Sequence, residues 1–385
     1  MCETVTRVLF VSRALEVGGA ERQLVETVRG LAAQGVLVCV ALFYRGGGFA
    51  TALDGLPGVT LICLEKTGRW DMIRVSRRLC RLAREFRPKT VWGFAQEPNL
   101  LALAAGRAAG SGVVWGIRRS TRHLPWRDLP ALCSFFFAAA ASRLANTVVY
   151  NSEAGRKAYT ARGYSRTNAI VIHNGFDTKH FSPSSALREK TRGEWKVAPR
   201  DILIGIVGRL HPVKDHPRFI EAAALARLQN SSLRFVCVCP GSEPFRRELE
   251  ALAERKGLGS NLFFVGELTN MPAAYNALDA LVLCSKEEGF PNVIGEAMSC
   301  GIPCVTTDVG DASVLVGEAG ITVKADSAAA LADSICEMLS GGRVALAARG
   351  HAARQRILEH FSLAVMIDRV HSLVLSHRPQ PQTTS

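Results

Sequence analysis

The chain reads as α/β, with two doubly wound parallel sheets in tandem. Strand-sized apolar runs alternate with helix-sized segments, the signature of strand–helix–strand units. The alternation starts afresh after a breaker-rich stretch at Phe181-Ser-Pro-Ser-Ser185. A length of 385 residues also suits two domains that each bury a core.

The first half opens with a strand at Arg7–Ser12, a loop containing Gly18-Gly19, and a helix from Ala20 to about Gln34. Further strand runs follow at Leu37–Leu42, Val59–Leu64, Thr90–Phe94, Gly112–Gly116, Thr147–Tyr150 and Ala169–His173. Helical segments at Trp70–Phe86 and Leu100–Ala109 lie between some of them. The second half begins with the buried-strand pattern Ile202–Gly208 and a helix at Arg218–Leu228. Strands are expected at Leu233–Cys239, Leu262–Val265, Ala280–Cys284, Cys304–Thr306 and Gly320–Val323. Helices fill the gaps at Phe245–Lys256, Pro272–Ala277, Asn292–Ser299 and Ala328–Leu339. The domains are therefore expected at 1–182 and 183–361, both Rossmann-like, with a C-terminal helix at 362–376 returning to the first. A ligand of such a pair sits at the carboxyl ends of both sheets, in the cleft between the domains.

Hydrophobic content of 48% and charged content of 21% describe a globular chain with little disorder. No apolar run reaches the roughly 18 residues of a membrane span, and Val8-Leu-Phe-Val11 is a strand-sized run rather than a signal sequence. The expected location is cytoplasmic, with the inner face of the plasma membrane as a peripheral alternative. The 11 cysteines are odd in number and set among apolar residues, which favours reduced core thiols over disulfides or a metal site. The net charge of +13 is uneven: residues 1–180 hold 25 Lys and Arg against 12 Asp and Glu, and residues 181–385 hold 22 of each. The basic half is either a solvated face or one drawn to an anionic surface or acceptor. No nucleic-acid-binding motif accompanies the charge. The segment Thr121–Phe137, mixing cations, Trp126 and three consecutive Phe, is either a core helix beneath a basic loop or a membrane-interface segment.

The chemistry concentrates at Ser285-Lys-Glu-Glu-Gly-Phe-Pro-Asn-Val-Ile-Gly-Glu296. An apolar strand ends in a polar loop, Gly289 frees the backbone, Pro291 is pre-set for a first helical turn, and the helix carries Glu296 about two turns in. Glu288 stands at the mouth of this turn, beside helix amides that favour a phosphate. Carboxylates for hydroxyls and amides for phosphates suit a nucleotide-sugar.

This loop, together with Gly18-Gly-Ala-Glu-Arg22, Asn174-Gly-Phe-Asp177 and Val207-Gly-Arg-Leu210 with Lys214, resembles the retaining glycosyltransferases of family four, which have the two-domain GT-B architecture. The resemblance implies that Arg209 and Lys214 hold a diphosphate and stabilise the charge growing on it, with Gly208 before them and Gly19 approaching from the first domain. Glu288 would contact the transferred sugar. Gly289, Phe290, Pro291 and Asn292 would shape the turn, Val293 and Ile294 would offer amides, Glu296 would bind the ribose, and the loop Gly266–Leu268 would receive the base. Asn174 and Gly175 would shape the cleft. The catalytic set is thus Glu288, Arg209 and Lys214.

Many relatives carry a His just past the strand that here ends at Ile117; Arg118 stands in its place and His123 follows, and these two are the candidates on the acceptor side. No Asp-x-Asp pair occurs, so no metal or other cofactor is expected. The implied activity is transfer of a hexosyl or N-acetylhexosaminyl unit, with retention, from a UDP-sugar to a glycan or lipid-linked glycan in surface polysaccharide biosynthesis. Alternatives are a non-catalytic sugar-nucleotide or membrane scaffold and, less favoured, a sugar-nucleotide 2-epimerase.

Overall fold

The computed structural model describes residues 5–16, 18–68, 71–118, 120, 128–324 and 327–377. The first unit runs through β1 (Arg7–Ser12), α1 (Gly19–Ala33), β2 (Leu37–Leu42), β3 (Val59–Cys63), α2 (Met72–Phe86) and β4 (Thr90–Phe94). It continues with α3 (Gln96–Ala109), β5 (Gly112–Ile117), α4 (Leu129–Ala141), β6 (Thr147–Tyr150), α5 (Glu153–Thr160) and β7 (Ala169–Val171). Among the described residues these strands form one parallel sheet in the order β3-β2-β1-β4-β5-β6-β7.

The second unit holds α6 (Ser185–Glu194), β8 (Ile202–Val207), α7 (His216–Gln229), β9 (Leu233–Val238), α8 (Glu243–Arg255), β10 (Leu262–Val265), α9 (Met271–Ala277) and β11 (Ala280–Leu283). Then come α10 (Asn292–Ser299), β12 (Cys304–Thr307), α11 (Ala312–Val316), β13 (Ile321–Val323), α12 (Ala328–Met338) and α13 (Gly342–Arg356). Its strands form a second parallel sheet in the order β10-β9-β8-β11-β12-β13. The last helix, α14 (Leu363–Ser376), packs on α1 in the first unit.

Packing breaks at Gly175, ahead of the expected 182, and at Leu363. Phe176 already belongs to the second core: it is buried, bridges to Ser362 and stacks on Phe290. In the first unit, α2 and α3 pack together on one face of the sheet through Val75, Leu79, Leu101 and Ala105. Phe135 and Ala138 of α4 join Leu103 of α3 against the same sheet. The segment ending in three Phe is thus a helix over its described part, with Phe135 in the core and Phe136 and Phe137 47% and 65% exposed. Helix α3 begins at Gln96, earlier than the expected Leu100, because the chain turns sharply at Ala95 and the Asn99 side chain bonds both backbone groups of Gly116.

His377, just past α14, closes the amino-terminal end of the first sheet. It is 8% exposed, and its ring nitrogens lie 3.3 Å from the hydroxyls of Thr90 and Thr147, the first residues of β4 and β6. Burial, then Lys89, pushes its pKa below the ordinary value. In the folded state it therefore takes up a proton at lower pH than in the unfolded state. Its contribution is fully present above the unfolded pKa of about 6.5 and declines as pH falls from there towards the folded pKa. Melting temperature measured from pH 8 down to 5 should fall more steeply in the wild type than in His377→Gln; parallel profiles would refute this.

Candidate functional site

In the second sheet the chain leaves β8 towards β9 on one side and later fills the other side with β11. The gap between the carboxyl ends of β8 and β11 is therefore the topological switch point, where open α/β sheets take their ligands. Two loops meet there, and backbone bonding joins them. Lys286 N–H donates to Val213 O at 2.8 Å, and the Cys284 thiol lies 3.3 Å from the carbonyls of both Lys214 and Asp215. Burial pushes Cys284 up to about 12, which keeps it a thiol able to donate.

Side chains complete the joint. Lys214 Nζ donates to Glu288 Oε1 at 2.5 Å, and Ser285 Oγ donates to the same oxygen at 2.7 Å. The Lys214 and Glu288 side chains are 23% and 14% exposed, so the pair is shielded yet reachable. Asp215, in a left-handed conformation at φ 52°, is buried and pairs with Arg218 at 2.8 Å and Lys286 at 3.4 Å. Arg209, on the same loop after β8 and following the Gly208 turn, is exposed.

A third loop, after β12, backs the Glu288 turn. Thr307 Oγ1 donates to Ser285 O at 2.9 Å and Asp311 N–H to Gly289 O at 2.9 Å. Gly310 has φ +58°, and a Cβ there would stand 2.4 Å from the carbonyls of Glu288 and Gly289. Only glycine lets the loop approach so closely.

Helix α10 follows. Pro291 is its N-cap rather than its first residue. Glu296 lies little more than one turn in, 6% exposed, and its Oε2 accepts from the Tyr275 hydroxyl at 2.7 Å. The Ile294 amide already donates to Pro291 O at 3.2 Å, so the helix start would receive an anion through Val293 rather than Ile294. Phe290 turns its ring into the core, against Phe176 and Phe361. After β10, Gly266 is exposed and Leu268 packs against the core.

The structure thus gathers Gly208, Arg209, Lys214, Glu288, Gly289 and Asn292 around the switch point. Glu296 lies further along the same helix. Gly19, as the first residue of α1, and Arg118, after β5, belong to the first unit. His123 lies outside the described residues. Sequence reasoning missed Ser285, Asp215, Tyr275 and His216. The last is buried at the start of α7 with Nε2 3.1 Å from Cys239 Sγ. Hydrogen bonds from Cys237 and then His216 pull the Cys239 thiol down, unlike the other buried thiols, which burial raises. All ten described cysteines are free, and among the described residues no cluster of three or more His, Cys, Asp or Glu is placed to hold a metal.

Residues 201–341, which carry this site, match the family model described as glycosyl transferases group 1, and residues 17–180 match the one described as Glycosyltransferase Family 4. The chain belongs to the group 1 glycosyltransferases. Its GT-B fold is shared with Anabaena HepE in complex with UDP, at a TM-score of 0.83 and 23% identity over 96% of this chain and 100% of that one. It is shared too with WaaG, a glycosyltransferase involved in lipopolysaccharide biosynthesis, at 0.73 and 18% over 96% and 100%. The lipopolysaccharide core biosynthesis mannosyltransferase LpsB of Rhizobium meliloti is 29% identical over 65% of this chain and 75% of its own length. EpsF of Bacillus subtilis is 28% identical over 48% of this chain, a match that spans 47% of EpsF, about half its length. No described helix is long and apolar enough to cross a membrane.

Proposed function

We propose that this glycosyltransferase moves a hexosyl or N-acetylhexosaminyl unit from a UDP-sugar, with retention and without a metal, to a glycan or lipid-linked glycan of a surface polysaccharide. The observation that carries the reading is the Lys214–Glu288 pair at the switch point, with Glu296 on the helix that follows. Arg209 and Lys214 supply the two positive charges that a diphosphate needs as it leaves. An arriving diphosphate would share Lys214 with Glu288, placing that carboxylate next to the sugar it accompanies. The complex of HepE with UDP supports the choice of base, and the role of LpsB in lipopolysaccharide core biosynthesis supports the acceptor class.

A membrane-linked acceptor also fits the surface of the first unit. Leu129, Phe136 and Phe137 of α4 are 68%, 47% and 65% exposed. On the same side of the sheet, α2 presents an open groove of about 570 Å³ lined by Asp71, Ile73, Arg74, Arg77, Arg78 and Arg81. Arg74 and Arg78 are partly neutralised by Asp71 and Glu65, while Arg77 and Arg81 are exposed. Cations near an anionic bilayer are worth about 1 kcal/mol each.

The test is release of UDP from a panel of UDP-sugars, with lipid-linked acceptors in phosphatidylserine vesicles and with or without EDTA. Turnover that EDTA leaves unchanged, yielding a product of unchanged anomeric configuration, is the expected result. Binding without turnover on any acceptor would indicate a scaffold, and a new sugar nucleotide formed without acceptor would indicate an epimerase. Inversion, or loss of activity restored by a divalent ion, would overturn the mechanism. In the same vesicles, Arg77→Gln with Arg81→Gln should weaken co-sedimentation about 30-fold, from about 2 kcal/mol lost; unchanged binding would refute the membrane reading.

A further inference from the structure

At the carboxyl end of the first sheet, Arg118 holds a charge that no described carboxylate balances. The residue follows β5, and its guanidinium carbon lies 4.4 Å from the centroid of the Phe94 ring at the end of β4. Nη1 donates to Asn174 Oδ1 at 2.9 Å, past the end of β7. Nε is sealed from solvent with no hydrogen-bond partner, although the residue as a whole is only partly buried. Burial pulls its pKa down to about 10, which leaves it charged at neutral pH. Among the described residues no carboxylate pairs with it.

An arginine used for structure looks different in the same chain. Arg192, buried in the second unit, bonds Asp279 Oδ2 and the carbonyls of Ala277, Ala198 and Asp201. Its charge is paired and its donors are used. Arg118 has one amide oxygen and one aromatic face, and an unpaired buried charge costs stability.

The surroundings of Arg118 are rigid. Gln23 of α1 bonds both backbone groups of Gly175, at 2.9 and 3.0 Å, and so fixes Asn174. Asn99 pins Gly116 in the same double manner, at 3.2 Å each way. Between them Ala95 keeps φ 108°, a strained backbone for a residue with a side chain. A cation held in a braced frame at a sheet's carboxyl edge is what an oxyanion receptor requires.

We infer that Arg118 receives an oxyanion, a phosphate or a carboxylate, carried by the molecule bound to the first unit. If the proposed transferase reading holds, that molecule is the acceptor. The acceptor is then an acidic glycan or a glycan phosphate, and a neutral one would leave the guanidinium unpaired.

The experiment uses the full chain saturated with UDP, so that the diphosphate site is occupied, at ionic strength matched with sodium chloride. Melting temperature is followed as inorganic phosphate or D-glucuronate is added to the wild type, Arg118→Met and Arg118→Lys. The wild type should gain stability with at least one anion, at an affinity about 10- to 100-fold above that of Arg118→Met. A response to glucuronate alone assigns a carboxylate, and a response to phosphate alone assigns a phosphate. Without anion, Arg118→Met should melt no lower than the wild type, because the substitution removes an unpaired charge. No anion response in the wild type, or an equal one in Arg118→Met, overturns the inference. So does a lower melting temperature in Arg118→Met that Arg118→Lys restores, since that marks a structural residue. Absence of any UDP effect would count against the transferase reading alone; the difference between wild type and Arg118→Met would still decide the anion site.

Discussion

Glu288→Ala is expected to lower kcat about 10²- to 10³-fold, the range for losing one positioned group at a reacting centre. Glu288 Oε1 is the shared acceptor of Lys214 and Ser285, so its removal undoes the Lys214 joint between the β8 and β11 loops. Other joints remain: Lys286 N–H to Val213 O and Lys286 Nζ to Asp215 do not involve the Glu288 carboxylate. Circular dichroism should therefore be unchanged. Lys214, relieved of its carboxylate, should hold the diphosphate at least as tightly, so the Kd for UDP should stay level or fall. This split separates loss of chemistry from loss of folding. Wild-type turnover in the variant would refute the role given to Glu288, and weaker UDP binding would mean that the two loops had come apart.

The largest expected effect on stability lies away from the site. Asp279, between α9 and β11, accepts from Arg188 at 2.6 Å, from Arg192 at 3.0 Å and from the Leu203 amide at 2.7 Å. The side chains of Arg192 and Asp279 are 7% and 11% exposed. Asp279→Ala would leave the Arg192 charge buried without its counter-ion and the Leu203 amide of β8 without an acceptor. Breaking a buried pair from one side costs about 3–5 kcal/mol. Urea denaturation should show this loss in the transition of the second unit, with the first unit's transition little changed. A loss below about 1 kcal/mol would mean that water reaches the pair and screens it.

Much of the fold was legible because buried parallel strands announce themselves as continuous apolar runs. β1, β2, β4 and β6 start and end where those runs do. Helix α10 was equally plain, since Gly289, Pro291 and the polar loop punctuate its start locally. Helices α6 and α13 were not. The sequence of α6, Ser-Ala-Leu-Arg-Glu-Lys-Thr-Arg-Gly-Glu, carries almost no apolar stripe; arginines anchor it instead, through Asp279. Helix α13 contains Gly350, a residue that weakens a helix prediction. The fold needs it, because a Cβ there would stand 2.1 Å from Gly301 O. Helix α4 is apolar almost all round, so periodicity could not tell its core face from its exposed one.

The candidate site divides in the same way. Glu288 and Glu296 could be named from the local pattern of strand, turn and helix start, and Arg209 and Lys214 from the family resemblance of their motif. Their partners could not. Ser285, three residues from Glu288, gave no signal of its own, and the Tyr275–Glu296 bond joins two helices across β11.

By itself, the sequence determined the α/β class, the tandem repetition, the family and the loops where the chemistry lies, all of which rest on short-range patterns. Tertiary structure alone decided how charges are matched. It sets Lys214 on Glu288 and Arg192 on Asp279, and leaves Arg118 with an amide and a ring. The reason is physical: a charge's partner is chosen by distance and burial in three dimensions, and neither is written in the order of the residues.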